Sequence, residues 1–156
     1  MGCENDPNGD GLSRCNPDSV FLEVLKEIGT QVNLHKDGLD IRRQGPLKPF
    51  SFDVNKALDL FPTLVFLASH IEGQSSLVNL ELLKYKESDR LQEMLSLLKI
   101  FEIEHTFDET SSVLKIAGKN VSNKKKVEVH PARDHRIVMA AALFMATAGG
   151  GDLFEI

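Results

Sequence analysis

Apolar side chains recur along this chain in two rhythms, one of helical spacing and one of alternation, and together they predict its elements. Phe21, Val24, Leu25 and Ile28 share one helical face. Asn16 can cap that helix, Pro17 suits its first position and Gly29 closes it. Strands are predicted over 31–35 and 39–43, about a Lys36-Asp37-Gly38 turn, and over 50–54. The stretch 60–71 is apolar nearly all round and predicts a buried helix stopped by Gly73, followed by a strand over 75–82. The second half repeats the order. Leu91, Met94, Leu95 and Leu98 make a helical stripe, 102–106 and 113–116 a hairpin about Asp108-Glu109-Thr110, and 127–129 a strand. An apolar helix over 134–148 and a strand over 152–156 complete it.

Sliding the chain along itself until Val54 meets Val129 brings Val54-Asn55-Lys56-Ala57-Leu58-Asp59 onto Val129-His130-Pro131-Ala132-Arg133-Asp134, with three identities. With the matching order of elements, this predicts an internal repeat of roughly 17–82 and 88–156 and an α+β architecture. Residues 1–16 are poor in apolar side chains and dense in Gly, Asn and Asp, so they are expected to form a loop or a disordered leader. Asp6, Asn8, Asp10 and Gly11 match the front half of a calcium loop, but its closing Glu would fall on Pro17, so the site cannot close. Cys3 and Cys15 lack zinc-site spacing. The chain stops inside an apolar strand, Leu153-Phe154-Glu155-Ile156, and is expected to be cut from a longer one.

Composition narrows the class. Eighteen Lys and Arg against twenty-three Asp and Glu leave a net charge of −5, which argues against a nucleic-acid partner. Two cysteines make no disulfide framework, so a reducing cytoplasm is expected. The N-terminus has no signal pattern, and the longest apolar run, 137–148, is too short and Ala-rich to span a membrane. An enzyme part or a protein-binding module remains.

Three helix starts could carry chemistry. Asp59 precedes the buried helix over 60–71, where it is either an N-cap or a partly buried base with a tunable pKa. Lys86-Glu87-Ser88-Asp89-Arg90 opens the next helix, with Ser88 as its candidate cap. Arg90 there has the wrong sign for the helix dipole. It is either neutralised by Asp89 or Glu87 in a solvated cluster, or joins Lys86 and backbone amides in an anion site. Asp134-His135-Arg136 opens the last apolar helix with another cation in its first turn. Two such breaches at equivalent ends of repeated units favour one phosphate-bearing ligand. Lys124-Lys125-Lys126 reads as a solvated run, Asn120-Val121-Ser122 as a bare sequon, and His35, His70 and His105 as structural.

These stretches carry a resemblance. Leu83-Lys84-Tyr85-Lys86-Glu87-Ser88-Asp89-Arg90-Leu91, followed by Asp134-His135-Arg136-Ile137-Val138-Met139-Ala140, resembles the 5-enolpyruvylshikimate-3-phosphate synthase family. Asp59-Leu60-Phe61-Pro62-Thr63-Leu64 falls on its catalytic Asp segment. The likeness implies a two-domain enzyme built from repeated βαβαββ-type units, of which this chain supplies about two from one domain, with buried helices against small mixed sheets. It implies transfer of the enolpyruvyl group of phosphoenolpyruvate to the 5-hydroxyl of shikimate 3-phosphate in aromatic amino-acid biosynthesis. Glyphosate would compete for the phosphoenolpyruvate site, and no redox cofactor or metal is implied. By position, Asp59 would be the base and contact shikimate 3-phosphate, and Lys86 would bind that substrate's phosphate. Glu87 would be the acid that protonates the methylene carbon. Arg90 and Arg136, with His135 beside them, would clamp phosphoenolpyruvate. The base and the acid must then hold different protonation states.

The family's Lys-Ser, Asn-Ala-Gly-Thr and Ser-Ser-Gln segments are missing here, as is its late Lys, and Leu82 stands where some members place a substrate-binding Asn. This chain alone is therefore expected to be inactive, with the remainder of its own chain as its partner. The transferase acting on UDP-N-acetylglucosamine shares the fold but lacks both signatures. A non-enzymatic binding module of the same fold is the rival from another class.

Overall fold

The computed structural model describes residues 17–119, 126–131 and 133–154. The leader over 1–16, its cysteines and partial calcium loop, the Asn120 sequon and the end of the strand expected over 152–156 lie outside the described residues.

Helix α1, Pro17–Glu27, buries Val24 and Leu25, and Gly29 at φ 98° turns the chain out of it. Strands β1, Thr30–His35, and β2, Gly38–Arg43, pair antiparallel from Thr30 opposite Arg43 to His35 opposite Gly38. Strand β3, Ser51–Asp53, leads through two 3-10 turns into helix α2, Phe61–His70, and on to strand β4, Gly73–Val78, which lies parallel to β3. Helix α3, Arg90–Ile100, strands β5, His105–Asp108, and β6, Val113–Gly118, then strand β7, Val127–Val129, helix α4, His135–Ala148, and strand β8, Gly151–Leu153, follow in the same order. The helices and small mixed sheets make an α+β fold.

Strand order explains how the two runs join. β3, β4, β6 and β5 form one sheet, so the second hairpin pairs its β6 antiparallel with β4 of the first run. β1–β2 and the parallel pair β7–β8 stand as separate two-stranded sheets. Helix α2 is the centre, packing on β6, α3 and α4. Phe61, Leu64, Val65 and Ala68 are fully buried on it. Phe144 of α4 stacks on Phe101 at 5.1 Å and meets Phe66 edge-on at the same distance. Gly118 lies so close to α2 that a Cβ there would strike the carbonyl oxygens of Ala68 and Ile71.

Three local expectations need correction. The strand expected over 75–82 stops at Val78, because Asn79 takes φ 61° and the chain continues as a 3-10 turn, Glu81–Tyr85. Gly73, expected to stop the preceding helix, instead begins β4, since that helix ends at His70. The strand expected over 102–106 starts at His105, after Glu102 at φ 55°.

Candidate active site

The starts of α2, α3 and α4 meet at one place. Asp59 lies in the 3-10 turn Leu58–Leu60 that enters α2, and the N-cap of α2 is Leu60, which makes no side-chain cap bond. The capping alternative for Asp59 is therefore overturned. Its carboxylate turns to cations instead, accepting from Arg90 Nη1 at 2.7 Å and Arg136 Nη2 at 3.1 Å, with Lys86 Nζ at 3.7 Å. Arg136 Nη1 also donates to the Asp59 carbonyl at 3.3 Å.

Helix α3 is capped by Asp89, whose side chain accepts from the Gln92 amide at 3.1 Å, and not by Ser88. Ser88 Oγ faces Asp134 at 3.4 Å. Arg90 follows the cap with its side chain wholly buried, so the alternative of a solvated cluster fails on solvation, although the pairing with Glu87 that it named is present. Each of its three nitrogens meets a different carboxylate. Nε donates to Asp134 at 2.7 Å, Nη1 to Asp59 at 2.7 Å and Nη2 to Glu87 at 2.6 Å. Three acceptors compensate the desolvation of a buried guanidinium, which one partner would not.

Asp134 caps α4 by accepting from the Arg136 amide at 3.0 Å, while its other oxygen holds Arg90. One buried carboxylate thus joins the Lys86–Arg90 motif to the Asp134–Arg136 motif. The motif reading gives Asp134 no role at the site. Its signal was a good capping residue at a helix start, and it does serve as that cap.

Exposure separates a floor from a rim. The Arg90 and Asp134 side chains have no exposure, whereas Asp59, Lys86 and Arg136 keep 43 %, 30 % and 33 %, and Glu87 keeps 59 %. The hydrogen bond from Arg90 leads in holding the Asp59 carboxyl below the usual range, against a smaller opposing effect of burial, with Arg136 and Lys86 adding to it. Burial pushes Asp134 up, but the bonds from Arg90 and from the Arg136 amide, with the nearby Arg90 guanidinium, bring it below its ordinary value. Burial likewise opposes the charge on Arg90, and the bonds to Asp134 and Asp59 outweigh it, so its pKa is raised.

The structure thus gathers Asp59, Lys86, Glu87, Arg90 and Arg136 into one cluster. His135 stands exposed on the first turn of α4 beside it. Leu82, on the turn leading in, is also exposed. The rim offers a carboxylate held ionised, a second more exposed carboxylate, and cations able to receive an anion, all where three positive helix ends converge.

This element order, with cations and carboxylates gathered at helix starts, defines an enolpyruvyl transferase-like domain. The fold matches the enolpyruvyl transferase NikO of Streptomyces tendae at a TM-score of 0.65 and 18 % identity, over 86 % of this chain and 30 % of that one, a likeness of fold alone. The family model for EPSP synthase (3-phosphoshikimate 1-carboxyvinyltransferase) matches residues 12–152, and the chain belongs to that family. It is 35 % identical to the 3-phosphoshikimate 1-carboxyvinyltransferase of Syntrophobacter fumaroxidans over 93 % of this chain and 35 % of that protein. The enzyme of the same name from Methanosarcina acetivorans is 34 % identical over 85 % of this chain and 30 % of its own length. An EPSP synthase structure from Acinetobacter baumannii superposes at a TM-score of 0.64 with 30 % identity, over 83 % of this chain and 32 % of that one. The chain spans about a third of the length of the curated relatives it matches. Among the described residues no helix is long and apolar enough to cross a membrane.

Proposed function

We propose that this chain supplies one wall of a site that transfers the enolpyruvyl group of phosphoenolpyruvate to the 5-hydroxyl of shikimate 3-phosphate. The observation that carries this reading is Arg90, buried at the meeting of three helix starts and held by Asp59, Glu87 and Asp134. Around it stand the residues that the family motif assigns to chemistry.

Arg136, with Arg90 behind it and His135 alongside, receives the phosphate and carboxylate of phosphoenolpyruvate. Lys86 binds shikimate 3-phosphate. Asp59 takes the proton from the 5-hydroxyl as its oxygen attacks the central carbon of phosphoenolpyruvate. Glu87, protonated for this step, gives its proton to the methylene carbon, and the carboxylate left behind takes a proton back from the new methyl group as phosphate leaves and the double bond returns. A carboxylate held as low as Asp59 is ionised but a weak base. An arriving anion competes with Asp59 for the Arg90 and Arg136 donors, and the carboxylate it displaces becomes a stronger base. Binding thereby readies the attack.

Alone, this chain binds weakly and turns nothing over, because the opposite wall comes from the rest of the protein. Glyphosate occupies the phosphoenolpyruvate position. A cytoplasmic location belongs to the same proposal and rests on two cysteines that form no disulfide framework.

Thermal unfolding of the purified chain tests the reading. Millimolar shikimate 3-phosphate with glyphosate should raise the melting temperature by a few degrees, and Arg136→Ala should remove the rise. A shift with UDP-N-acetylglucosamine instead, or none with either, would give the site to the other transferase or to a binding module. Phosphate release from both substrates by this chain alone would overturn the one-wall reading.

A further inference from the structure

Glycine is the usual residue where a backbone must turn left-handed, because it has no Cβ to clash. Among the described residues three others take that conformation, and two of them stand at one end of the four-stranded sheet: Asn79 at φ 61° and Ser112 at φ 53°. Each uses the side chain that a glycine would lack. Asn79 Nδ2 donates to Asp53 Oδ1 at 2.9 Å. Ser112 Oγ, buried, accepts from the Leu80 amide at 3.3 Å. Asp53, Val78 and Val113 lie in one row across β3, β4 and β6, so the junction Asn79–Leu80 is held from both sides. Strained backbone of this kind concentrates at functional sites.

The two segments tied there both lead to the site. Asp53 Oδ1 also accepts from the Asn55 amide at 3.1 Å and so caps the 3-10 turn Val54–Lys56. That turn runs through Ala57 into the turn Leu58–Leu60, which carries Asp59. On the other side Leu80 opens the 3-10 turn Glu81–Tyr85, its carbonyl accepting from the Leu83 amide at 3.1 Å, and Lys86 closes that turn. Leu80 and Leu83 anchor it with no exposure. At the far ends of the two paths Lys86 Nζ and the Asp59 carboxylate meet at 3.7 Å. One oxygen, Asp53 Oδ1, therefore starts the first path and, through the Asn79 amide, holds the start of the second.

We propose that Asp53 and Asn79 are positioning residues for the site: their bond fixes the spacing of the two turns, and with it the seat of Lys86 against Asp59. Arg136 reaches Asp59 by another route, from the start of α4 that Asp134 caps, and does not depend on this tie. What the tie is for rests on the enolpyruvyl-transfer reading above. The spacing itself does not.

Carboxyl-carbon NMR of Asp59, followed on the folded chain from pH 7 downward, tests this without any substrate. Lys86→Met should raise the Asp59 midpoint in the parent, since Lys86 is among the cations that hold it low. Asn79→Gly accepts the left-handed turn but has no amide to donate. Its midpoint should already be raised, and adding Lys86→Met should raise it no further. Arg136→Met should raise it equally with and without Asn79→Gly, which tells a lost tie from a general loosening. Asp53→Asn keeps an oxygen for both amides and should respond to Lys86→Met like the parent, whereas Asp53→Ala should respond like Asn79→Gly. Far-UV circular dichroism should match the parent throughout. Lys86→Met acting in Asn79→Gly as it does in the parent overturns the proposal, and so does loss of the Arg136→Met response along with the other. A chain that shows the tie but binds no shikimate 3-phosphate would bear out the spacing and end the enolpyruvyl-transfer reading.

Discussion

Burying a guanidinium at the first turn of a helix incurs two costs, desolvation and the unfavourable dipole, and Arg90 incurs both. Its three carboxylate partners offset them, and Asp134 is the one that is itself buried. Asp134→Asn should destabilise the chain by about 3 kcal/mol in urea unfolding. That is the lower end for breaking a buried pair, because Asp59 and Glu87 still hold the other nitrogens. Replacing both partners, Arg90→Met with Asp134→Leu, should recover part of that loss. The same carboxylates set an acid limb. Asp134 and Asp59 have lower pKa values folded than unfolded, so the unfolded chain binds more protons. The stability they contribute is complete above the unfolded value near ~4 and drains as pH falls through the folded values. The urea midpoint should stay level from about pH 7 to about pH 5 and drop below about pH 4, with a shallower drop in Asp134→Asn.

At the scale of elements, what was legible was periodic. All four helices were readable, α1 and α3 because Phe21, Val24, Leu25 and Ile28, and later Leu91, Met94, Leu95 and Leu98, repeat at helical spacing, and α2 and α4 because they are apolar nearly throughout. The overrun past Val78 has a physical reason. Leu80 and Leu83 look like a continuing strand, and they are indeed buried, but in a 3-10 turn. Asn79 makes the break, tolerating a left-handed conformation while its amide donates to Asp53 at 2.9 Å. That bond spans the β3–β4 pair, and local pattern does not show it. The cap of α3 slipped by one residue because Ser88 and Asp89 are both good caps, and only the contact to Asp134 draws Ser88 away. Gly118 shows the same limit, since its need for no side chain comes from α2, far away in sequence. Gly118→Ala should cost about 1–3 kcal/mol as the new Cβ meets backbone carbonyls. Gly38→Ala, with nothing within 4 Å, should stay within about 0.5 kcal/mol, both read by thermal unfolding.

At the scale of the whole molecule, the candidate site is a product of the fold. Its members were visible as wrong-sign cations at helix starts, but their pairings were not, because Arg90 reaches Asp134 across 44 residues and Arg136 reaches Asp59 across 77. The assembled site sets three carboxylates, Asp59, Glu87 and Asp134, against three cations, Lys86, Arg90 and Arg136, so side-chain charge is balanced. Three helix starts then tip the local potential positive. A balanced site binds an anion only as fast as a carboxylate lets go, and Asp59, touching all three cations, is the one to displace. Asp59→Asn removes that competitor. One charge about 4 Å away, discounted for solvent exposure and salt, is worth about 1 kcal/mol, so inorganic phosphate should bind the purified chain about fivefold more tightly. Calorimetric titration at fixed ionic strength reads the change. Asp108→Asn removes the same charge from an exposed turn outside the cluster and should leave phosphate affinity unchanged. An equal gain in both variants would trace the effect to net charge, and no gain in Asp59→Asn would mean that Asp59 does not hold the cations against the anion.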